Sequence, residues 1–591
     1  MSAPGRAHPI QCYLVNFSRN FSADLPTIKR RGIQDMARCE MPGKPADWIR
    51  NAYAERGRID GECLRQALPS EESSAVSMLA DAINKKSPGF IDDSEYAQLS
   101  KVFSADNKIL FEDLRRSPPY VARMRFFSDH AADSAYFRNQ NLPGANFSAS
   151  MRYMDTGEGV AFWARNAPLA PASSLKTLVT AAALVTLGED YRFHTQLYHT
   201  GVIAGGTLYG DLVLAGGGDP TLGSSMVNGS QSMDGVLAQL SRFVHRAGIR
   251  HIEGSVRVDN SRFSGPSVPA SWTDDDLGNY YAAPVDALSI NNNEFRLIFK
   301  PGEKPGDPAA LLRTEPEIKG LQFTNNMKTG ETGSGDHGYV RRLPGEYHDA
   351  LEGTVPAGVR EFAIKGSIPE PALFAGRALK KKLEADGVTI SVSSIYYSEG
   401  SDHNTQQLGD IASPPLKDII RVTNSKSVNL YAEMLARALA VETGHEGSLQ
   451  GGLDAIVEFL RASGIDTSSV TLADASGLSR MNSISSEVLS ELLGFMSTQP
   501  VFGSFQHSLA HSGGGGGPST ARAFGGGRFR GEIFFKSGYI HGVRSYCGYA
   551  MENGGRPISF SFIFSFDRFL GGHQAETFVE KALMAAQKKG R

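Results

Sequence analysis

The chain has 591 residues, well beyond the length over which one hydrophobic core keeps growing, so about two to four domains are expected. Hydrophobic residues make up 41% and charged residues 21%, a composition that excludes wholesale disorder. The formal net charge of -3 provides no global field for nucleic acid or an anionic membrane surface, and we expect no nucleic-acid partner.

Residues 1–143 are polar and mixed in charge, and we treat them as an N-terminal extension of unknown role. Cys12, Cys39 and Cys63 lie here without zinc-like spacing, so a disulfide among them is allowed but not required. The segment lacks the basic start, apolar stretch and small-residue cleavage site of a secretory signal peptide. The sequence therefore shows no signal peptide and no export route.

The pattern changes at Asn146, where two short runs around a turn-forming DTGEG predict a β-hairpin. A loop then leads into the longest apolar run of the chain, at residues 178–187. This run is roughly half of the ~20 residues that cross a bilayer. We therefore predict a buried helix here and no transmembrane segment.

The remaining chain divides into an inserted region and the second part of the surrounding domain. Residues 193–407 carry many short β-like runs broken by Gly, Pro and Asn, which predict mainly β inserted material. Helical periodicity then returns, followed by three strand-like runs and a last helix. We predict one domain from residues 144–192 plus 408–591, with a mobile glycine-rich loop at residues 512–527.

The first candidate motif is Ser173-Ser174-Leu175-Lys176, at the start of the predicted buried helix. Positions three apart share one face of a helix, so the Lys176 amine would stand one turn from the Ser173 hydroxyl. A serine hydroxyl needs a base within reach, and a lysine amine can act as that base once its pKa is lowered enough to make it neutral. The spacing is common by chance and identifies nothing on its own.

The second candidate motif, Ser427-Val428-Asn429, stands directly before an amphipathic helical stretch. One interpretation is a helix N-terminus, because Ser and Asn favour caps. In the other, Ser427 relays a proton to a leaving amine, and the Asn429 amide holds the substrate backbone or the lysine.

The third candidate motif, Lys536-Ser537-Gly538, ends a strand-like run and is followed by Tyr539. One interpretation is a strand end with an exposed lysine. In the other, the cation and the hydroxyl bind a substrate carboxylate, and Gly538 lets another backbone approach closely.

Together and in this order, the motifs resemble the Ser-x-x-Lys, Ser-Asp-Asn and Lys-Thr-Gly signature of penicillin-binding proteins and class A β-lactamases. From Ala145 onwards the chain resembles the class C low-molecular-mass penicillin-binding proteins, the D-Ala-D-Ala carboxypeptidase/endopeptidase family S13 typified by penicillin-binding protein 4. The long separation of Lys176 from Ser427 also matches, because this family carries inserted domains there. Other similar stretches are GDLVLAGGGDPTL, YYAAPVDALSINNNEF, KGSIP, DASGLSRMN and KSGYIHGVRSYCGYA.

The resemblance implies an α/β (α+β) fold of the penicillin-binding/β-lactamase transpeptidase type, an antiparallel sheet flanked by helices. Mainly β inserted domains would lie between the first and second motifs. Ser173 would attack the carbonyl of the penultimate D-Ala, with Lys176 as base and Ser427 as proton relay. Water would then hydrolyse the acyl-enzyme.

The other motif residues would bind the substrate. Asn429, Lys536 and Ser537 would position a peptide extended along the strand that carries Lys536. The backbone N–H groups of Ser173 and Tyr539 would form the oxyanion hole. The implied partners are peptidoglycan stem peptides ending in D-Ala-D-Ala, with β-lactams as covalent inhibitors, and no metal or cofactor. The implied location is periplasmic or otherwise extracytoplasmic.

The sequence departs from the family at two motif positions. Ser537 stands where Thr is usual, which keeps the hydroxyl, and Tyr539 replaces a second Thr beside the carboxylate with a bulky phenol. This change and residues 1–143 leave open a catalytically weakened scaffold protein. A related β-lactamase or esterase on the same fold also stays open.

Other constellations are less favourable. His507 and His511 are four residues apart, but no Glu follows His507, which disfavours a zinc-protease helix. The chain has no intact Gly-x-Ser-x-Gly elbow, which disfavours an α/β-hydrolase. The sequence Gly216-Gly217-Gly218-Asp219-Pro220 favours a turn over a phosphate-binding loop.

Overall fold

A computed structural model describes residues 137, 145–343, 345–398, 405–512, 524, 529–552, 555–566 and 572–589. The predicted extension at residues 1–143, apart from Phe137, and most of the predicted loop at residues 512–527 lie outside this range. The predictions on Cys12, Cys39 and Cys63 also fall outside it, whereas Cys547 is buried with a free thiol.

The strands are β1 (Ala145–Tyr153), β2 (Gly159–Trp163), β3 (His194–His199), β4 (Val202–Ala204), β5 (Thr207–Tyr209), β6 (Leu212–Ala215), β7 (His251–Ile252), β8 (Val256–Asp259), β9 (Glu294–Lys300), β10 (Ala310–Glu315), β11 (Gln322–Asn325), β12 (Lys328–Gly330), β13 (His337–Arg342), β14 (His348–Pro356), β15 (Phe362–Ser367), β16 (Thr389–Ile390), β17 (Tyr396–Tyr397), β18 (Gln406–Ala412), β19 (Ala510–His511), β20 (Gly531–Ile540), β21 (Val543–Glu552) and β22 (Ile558–Phe566).

The α-helices are α1 (Lys176–Leu187), α2 (Met233–Arg246), α3 (Pro371–Ala385), α4 (Leu416–Ser425), α5 (Asn429–Glu442), α6 (Leu449–Ala462), α7 (Ser486–Met496), α8 (Phe502–Ser508) and α9 (Gly572–Lys589). A short 3-10 helix, Ala172–Leu175, leads directly into α1.

A six-stranded antiparallel sheet, in the order β19-β20-β21-β22-β1-β2, forms the centre of the surrounding domain. Alternate side chains of a strand point to opposite faces, so Phe562 and Phe564 of β22 pack on one side against Phe578 of α9. Ile563 faces the opposite core, which contains residues of α1 and of α4 to α8. The predicted antiparallel sheet flanked by helices is therefore confirmed.

The apolar run at residues 178–187 lies within α1, as predicted, and the helix is buried from Lys176 to Leu184. A helix that is apolar all round packs on every side, because it has no face to offer to water. The helical stretch near residue 427 is interrupted: Ser427 has a φ of 59°, and α4 and α5 end and begin on either side of it.

The predicted insert, residues 193–407, contains β3 to β17, the first two residues of β18, and two helices, α2 and α3. Its entry and exit strands, β3 and β18, pair with each other antiparallel, so the chain leaves and re-enters the surrounding domain at one place. Phe263, Val285 and Ala287 from the insert join the hydrophobic core of α1 and α5. The insert therefore also packs against the elements that carry the first two motifs. The domain boundaries stay a prediction.

None of the helices within the described ranges is long and apolar enough to cross a membrane.

The central strand β22 offers a stability test. Phe562→Ala removes a fully buried ring between the sheet and α9, so we expect it to lower the free energy of unfolding by about 3–5 kcal/mol. Urea denaturation followed by circular dichroism measures this change. Tyr209→Ala, at a side chain that is 60% exposed, is the control and should change stability little. Equal stability of both variants would contradict the packing described here.

Candidate active site

Ser173 lies in the 3-10 turn that precedes α1, and strand β20 runs beside it. A Cβ atom added to Gly538 of β20 would lie 2.8 Å from the Ser173 backbone nitrogen and 2.8 Å from the Pro171 carbonyl oxygen. Such contacts are too short for any side chain, so glycine is required for the strand to approach the turn. The structure thus brings the first and third motifs together, as predicted.

The Lys176 amine is fully buried and donates three hydrogen bonds. Its Nζ lies 3.0 Å from Ser173 Oγ, 2.6 Å from Asn429 Oδ1 and 2.6 Å from the Ser476 carbonyl oxygen. An ammonium group has three donors, so these three acceptors satisfy it completely. The predicted contact between the amine and the serine hydroxyl is present.

Burial lowers the pKa of Lys176 to about 7, although the carboxylates of Asp474 and Glu433 act in the opposite direction. The amine is therefore available in its neutral form near pH 7, where it can take a proton from a hydroxyl at hydrogen-bond distance. The arrangement supplies a nucleophile and its base.

Asn429 is the first residue of α5 and uses both ends of its amide. Oδ1 accepts from Lys176, and Nδ2 donates to the Tyr281 carbonyl oxygen at 2.8 Å. The N-cap position is Val428, and it makes no side-chain cap. The motif therefore does lie at a helix N-terminus, as one interpretation expected, but its two polar side chains bind distant partners instead of capping the helix.

The left-handed backbone of Ser427 directs its hydroxyl to the third motif, where Lys536 Nζ donates to Ser427 Oγ at 2.9 Å. Lys536 also donates to the Ser537 carbonyl oxygen at 2.6 Å. Its amine is buried, and burial together with the nearby Lys176 holds its pKa well below the usual value. The interpretation of Lys536 as an exposed lysine at a strand end is therefore wrong.

Two buried hydroxyls fasten the serine turn to the sheet. Ser174 Oγ and Ser545 Oγ lie 2.8 Å apart, and Ser545 Oγ also donates to the Pro171 carbonyl oxygen. Ser174 Oγ donates to the Lys536 carbonyl oxygen at 3.4 Å. These bonds fix the position of Ser173 relative to β20.

A loop at residues 474–482 closes the inner side of the site. The Asp474 carboxylate accepts hydrogen bonds from Gly477 N–H and Ser479 N–H, both at 2.7 Å, and from Trp272 Nε1 at 2.8 Å. A Cβ atom added to Gly477, whose φ is +80°, would lie 1.9 Å from the Ala172 carbonyl oxygen. The loop therefore packs directly against the serine turn and presents the Ser476 carbonyl to Lys176.

The outer residues of the third motif face the surface. Ser537 is half-buried and Tyr539 is 51% exposed, with the Arg544 guanidinium 4.3 Å from the centre of the tyrosine ring. The exposed phenol thus stacks on a cation at the mouth of the site. The motif residues that the sequence identified all lie on segments that converge here.

The inner wall of the site, formed by the body of α5 and the loop at residues 474–482, carries none of the three motifs. The roles of Glu433, Asp474, Ser476 and Tyr281 were not predicted. Ser476 and Tyr281 meet the motif residues through backbone carbonyls, which no side-chain pattern marks. One signal was available: Glu433 and Arg437 are charged residues within the mostly apolar stretch of α5. Fully buried carboxylates are rare unless a partner holds them.

Within the described ranges, no group of three or more His, Cys, Asp and Glu residues is arranged to hold a metal ion. Asp219 Oδ1 accepts from the Thr221 N–H at 2.8 Å, which is the local hydrogen bond of a turn.

The family model of "Peptidase_S13: D-Ala-D-Ala carboxypeptidase 3 (S13) family" matches residues 131–584. A D-alanyl-D-alanine carboxypeptidase of Actinomadura sp. (strain R39) is 28% identical over 69% of this chain and 76% of its own length. The carboxypeptidase DacB of Haemophilus influenzae is 23% identical over 71% and 86%.

Solved structures show the same fold. Penicillin-binding protein 4 of Haemophilus influenzae superimposes with a TM-score of 0.63 at 20% identity, covering 78% of this chain and all of that one. A second structure of the same protein, complexed with a β-lactam, gives a TM-score of 0.60 at 18% identity and covers 77% of this chain and 99% of that one.

The Asp474 contacts predict a large effect on stability. Asp474→Ala leaves the Gly477 N–H, Ser479 N–H and Trp272 indole buried without this acceptor, and each orphaned donor costs about 1–3 kcal/mol. We expect urea denaturation to show a loss of free energy of unfolding in this range or above it. Asp454→Ala, on the exposed face of α6, is the matched control. A loss no larger than that of the control would contradict the buried network.

Proposed function

Because the chain belongs to the D-Ala-D-Ala carboxypeptidase 3 (S13) family, a serine-type peptidase family, we propose that Ser173 is the nucleophile of its reaction. The observation that carries the proposal is the 3.0 Å contact between Lys176 Nζ and Ser173 Oγ. The amine is buried, has its pKa lowered to about 7, and stands where a general base must stand.

In the first half-reaction, Ser173 Oγ attacks the carbonyl carbon of the penultimate D-Ala, and the hydroxyl proton moves to Lys176 Nζ. The C–N bond then breaks, and the terminal D-Ala leaves as an amine after receiving a proton. In the second half-reaction, water attacks the ester carbonyl, which releases the shortened peptide and restores the Ser173 hydroxyl. Each step thus needs one group that accepts and returns a proton.

Ser427 is proposed to deliver the proton to the leaving amine. Its hydroxyl accepts a hydrogen bond from the buried Lys536 amine at 2.9 Å, so its own proton is free to point toward the substrate. Asn429 positions the base, since its Oδ1 accepts from Lys176. This contact favours the lysine over the substrate backbone as the partner of Asn429.

The substrate peptide is proposed to lie extended along β20. Gly538 leaves no side chain between that strand and the Ser173 backbone, so the N–H groups of Ser173 and Tyr539 can serve as oxyanion donors on either side of the reacting carbonyl. Lys536 and the Ser537 hydroxyl would bind the terminal carboxylate. The exposed Tyr539 ring would then cover the carboxylate instead of donating a small hydroxyl to it.

β-Lactams are proposed to acylate Ser173 as well, since a penicillin amide presents the same reacting carbonyl, and the related Haemophilus protein has been solved with a β-lactam. Cleavage of cross-links that end in D-alanine uses the same chemistry and is proposed as a second activity.

The proposed location follows from the proposed substrate. Peptidoglycan stem peptides lie outside the cytoplasmic membrane, so the proposed location is extracytoplasmic, and periplasmic where an outer membrane is present.

Ser173→Ala tests the nucleophile. The variant lacks the only oxygen proposed to form the ester, so we expect no covalent benzylpenicillin adduct by intact-mass spectrometry and no D-alanine release from a D-Ala-D-Ala peptide. Ser261→Ala, at an exposed serine of the insert, is the control and should behave as the wild type. An adduct on the Ser173→Ala protein would refute the proposal.

The wild-type protein distinguishes the alternative functions. A stable wild-type adduct without D-alanine release would favour the scaffold alternative. Rapid β-lactam turnover without peptide cleavage would favour a β-lactamase.

The pH dependence of acylation tests the base. Lys176 must be neutral to take the proton, so the benzylpenicillin acylation rate should rise with pH through about 7, the pKa to which burial lowers the amine. Rapid-quench mass spectrometry measures the rate at each pH. Lys176→Arg is the matched variant, because arginine stays protonated, and it should remain slow at every pH. A wild-type rate that does not change across this interval would contradict Lys176 as the base.

A further inference from the structure

Glu433 is a fully buried carboxylate that the reaction described above does not use. It lies on α5 four residues after Asn429, so the two side chains share one face of the helix, one turn apart. Removing a carboxylate from water is costly unless hydrogen bonds and opposite charge compensate it. The contacts of the Glu433 carboxylate therefore indicate which interactions compensate the cost of burying it.

Glu433 holds the loop that supplies an acceptor to Lys176. Its Oε1 accepts hydrogen bonds from the Ala475 N–H and the Ser476 N–H, both at 2.9 Å. The Ser476 carbonyl oxygen accepts from Lys176 Nζ at 2.6 Å. One residue of backbone thus separates the carboxylate from the amine, and the two bonds to Oε1 orient that residue.

The other carboxylate oxygen, Oε2, is not held by hydrogen bonds from the described residues as Oε1 is. Glu433 Oε2 has no hydrogen-bond partner within the part of the chain that the structure describes. Arg437, one turn further along α5, keeps its Nη1 3.6 Å from Oε2, beyond hydrogen-bond distance. Its Nη2 donates to the Pro266 carbonyl oxygen at 3.1 Å. The negative charge of Glu433 is therefore only partly compensated by this arginine.

The charges around Lys176 come from several elements. Glu433 from α5 and Asp474 from the loop both raise the pKa of Lys176 against the effect of burial, while Lys536 stands on β20 nearby. Burial and Asp474 raise the pKa of Glu433 to about 7, and Arg437 lowers it. Asp474 and the ionised form of Glu433 stabilise a positive charge on Lys176.

We propose that Glu433 is a positioning residue for acylation: it holds Ser476 so that the Lys176 amine stays on Ser173, and its negative charge stabilises the ammonium that forms when Lys176 takes the serine proton. This inference rests on the proposed function of Ser173 and Lys176. The proton passes from Ser173 Oγ to Lys176 Nζ and later to the leaving amine, so Glu433 gains and loses none. The aspartate of a Ser-His-Asp triad orients and stabilises its histidine by the same logic.

Two substitutions of Glu433 separate the effect of its hydrogen bonds to the loop from the effect of its negative charge. Glu433→Gln keeps an amide oxygen for the two N–H groups but removes the negative charge. We expect the acylation rate with benzylpenicillin to fall by roughly 10- to 100-fold, the size of loss seen when a residue that orients a metal ligand is removed from a metalloenzyme. The rise of the rate with pH should also move to lower pH, because loss of an anion lowers the pKa of Lys176.

Glu433→Asp keeps the charge but withdraws the carboxylate from Ala475 and Ser476. We expect a fall in rate of similar size, roughly 10- to 100-fold, with the pH midpoint close to that of the wild type. Glu442→Gln, the same substitution at the other end of α5, is the matched control and should leave both rate and midpoint unchanged. Circular dichroism and thermal denaturation establish that each variant is folded.

The outcomes distinguish this inference from the function on which it rests. Failure of the wild type to form an adduct overturns the proposed function. Normal labelling of the wild type with a wild-type rate and pH profile in Glu433→Gln overturns only the role of Glu433. If Glu433→Gln does not fold, Glu433→Asp decides, and a wild-type rate there overturns the inference. Loss of folding in both variants also overturns it, because Glu433 would then act on folding.

Discussion

The buried amine of Lys176 is the constraint on which the rest of the site depends. A buried polar group without a partner costs about 1–3 kcal/mol, against a total stability of about 5–15 kcal/mol for a typical protein. The three acceptors of this amine come from Ser173, Asn429 and Ser476, on three segments that are distant in the sequence. Satisfying one amine therefore joins the serine turn, the start of α5 and the inner loop, and it sets their mutual geometry.

Opposing electrostatic effects keep this amine useful as a base. Burial favours the neutral form, whereas Glu433 and Asp474 favour the ammonium, and the balance brings the pKa to about 7. A base with a pKa near the working pH can both accept and return a proton. Burial and the neighbouring Lys176 also lower the pKa of Lys536. The hydrogen bond from Lys536 to Ser427 links the second motif to the third.

The inserted region contributes to the same geometry. The Tyr281 carbonyl oxygen accepts from the Asn429 amide, which leaves the opposite end of that amide directed at Lys176. The Trp272 indole donates to Asp474, the residue that organises the inner loop. Since β3 and β18 pair where the insert leaves and returns, these contacts form without interrupting the central sheet. Residues of the insert thus hold Asn429 and Asp474 in position.

The sequence by itself determined the elements with strong local patterns and the residues with specialised chemistry. The apolar run of α1 predicted a buried helix, and the strand-like runs near the end of the chain predicted the strands that became β20, β21 and β22. Ser173, Lys176 and Lys536 were recognisable because three motifs occur in the order of a known family signature, whereas each motif alone identifies nothing.

Only the tertiary structure decided how the inner wall is built. Every residue carries a carbonyl, so no local pattern marks Ser476 or Tyr281 as the acceptor that meets a particular side chain. Ser427 and Asn429 resembled a helix cap because local preference cannot register two lysines that lie 109 and 253 residues away along the chain. Contacts over such separations form through the fold as a whole, and they assign these groups their roles.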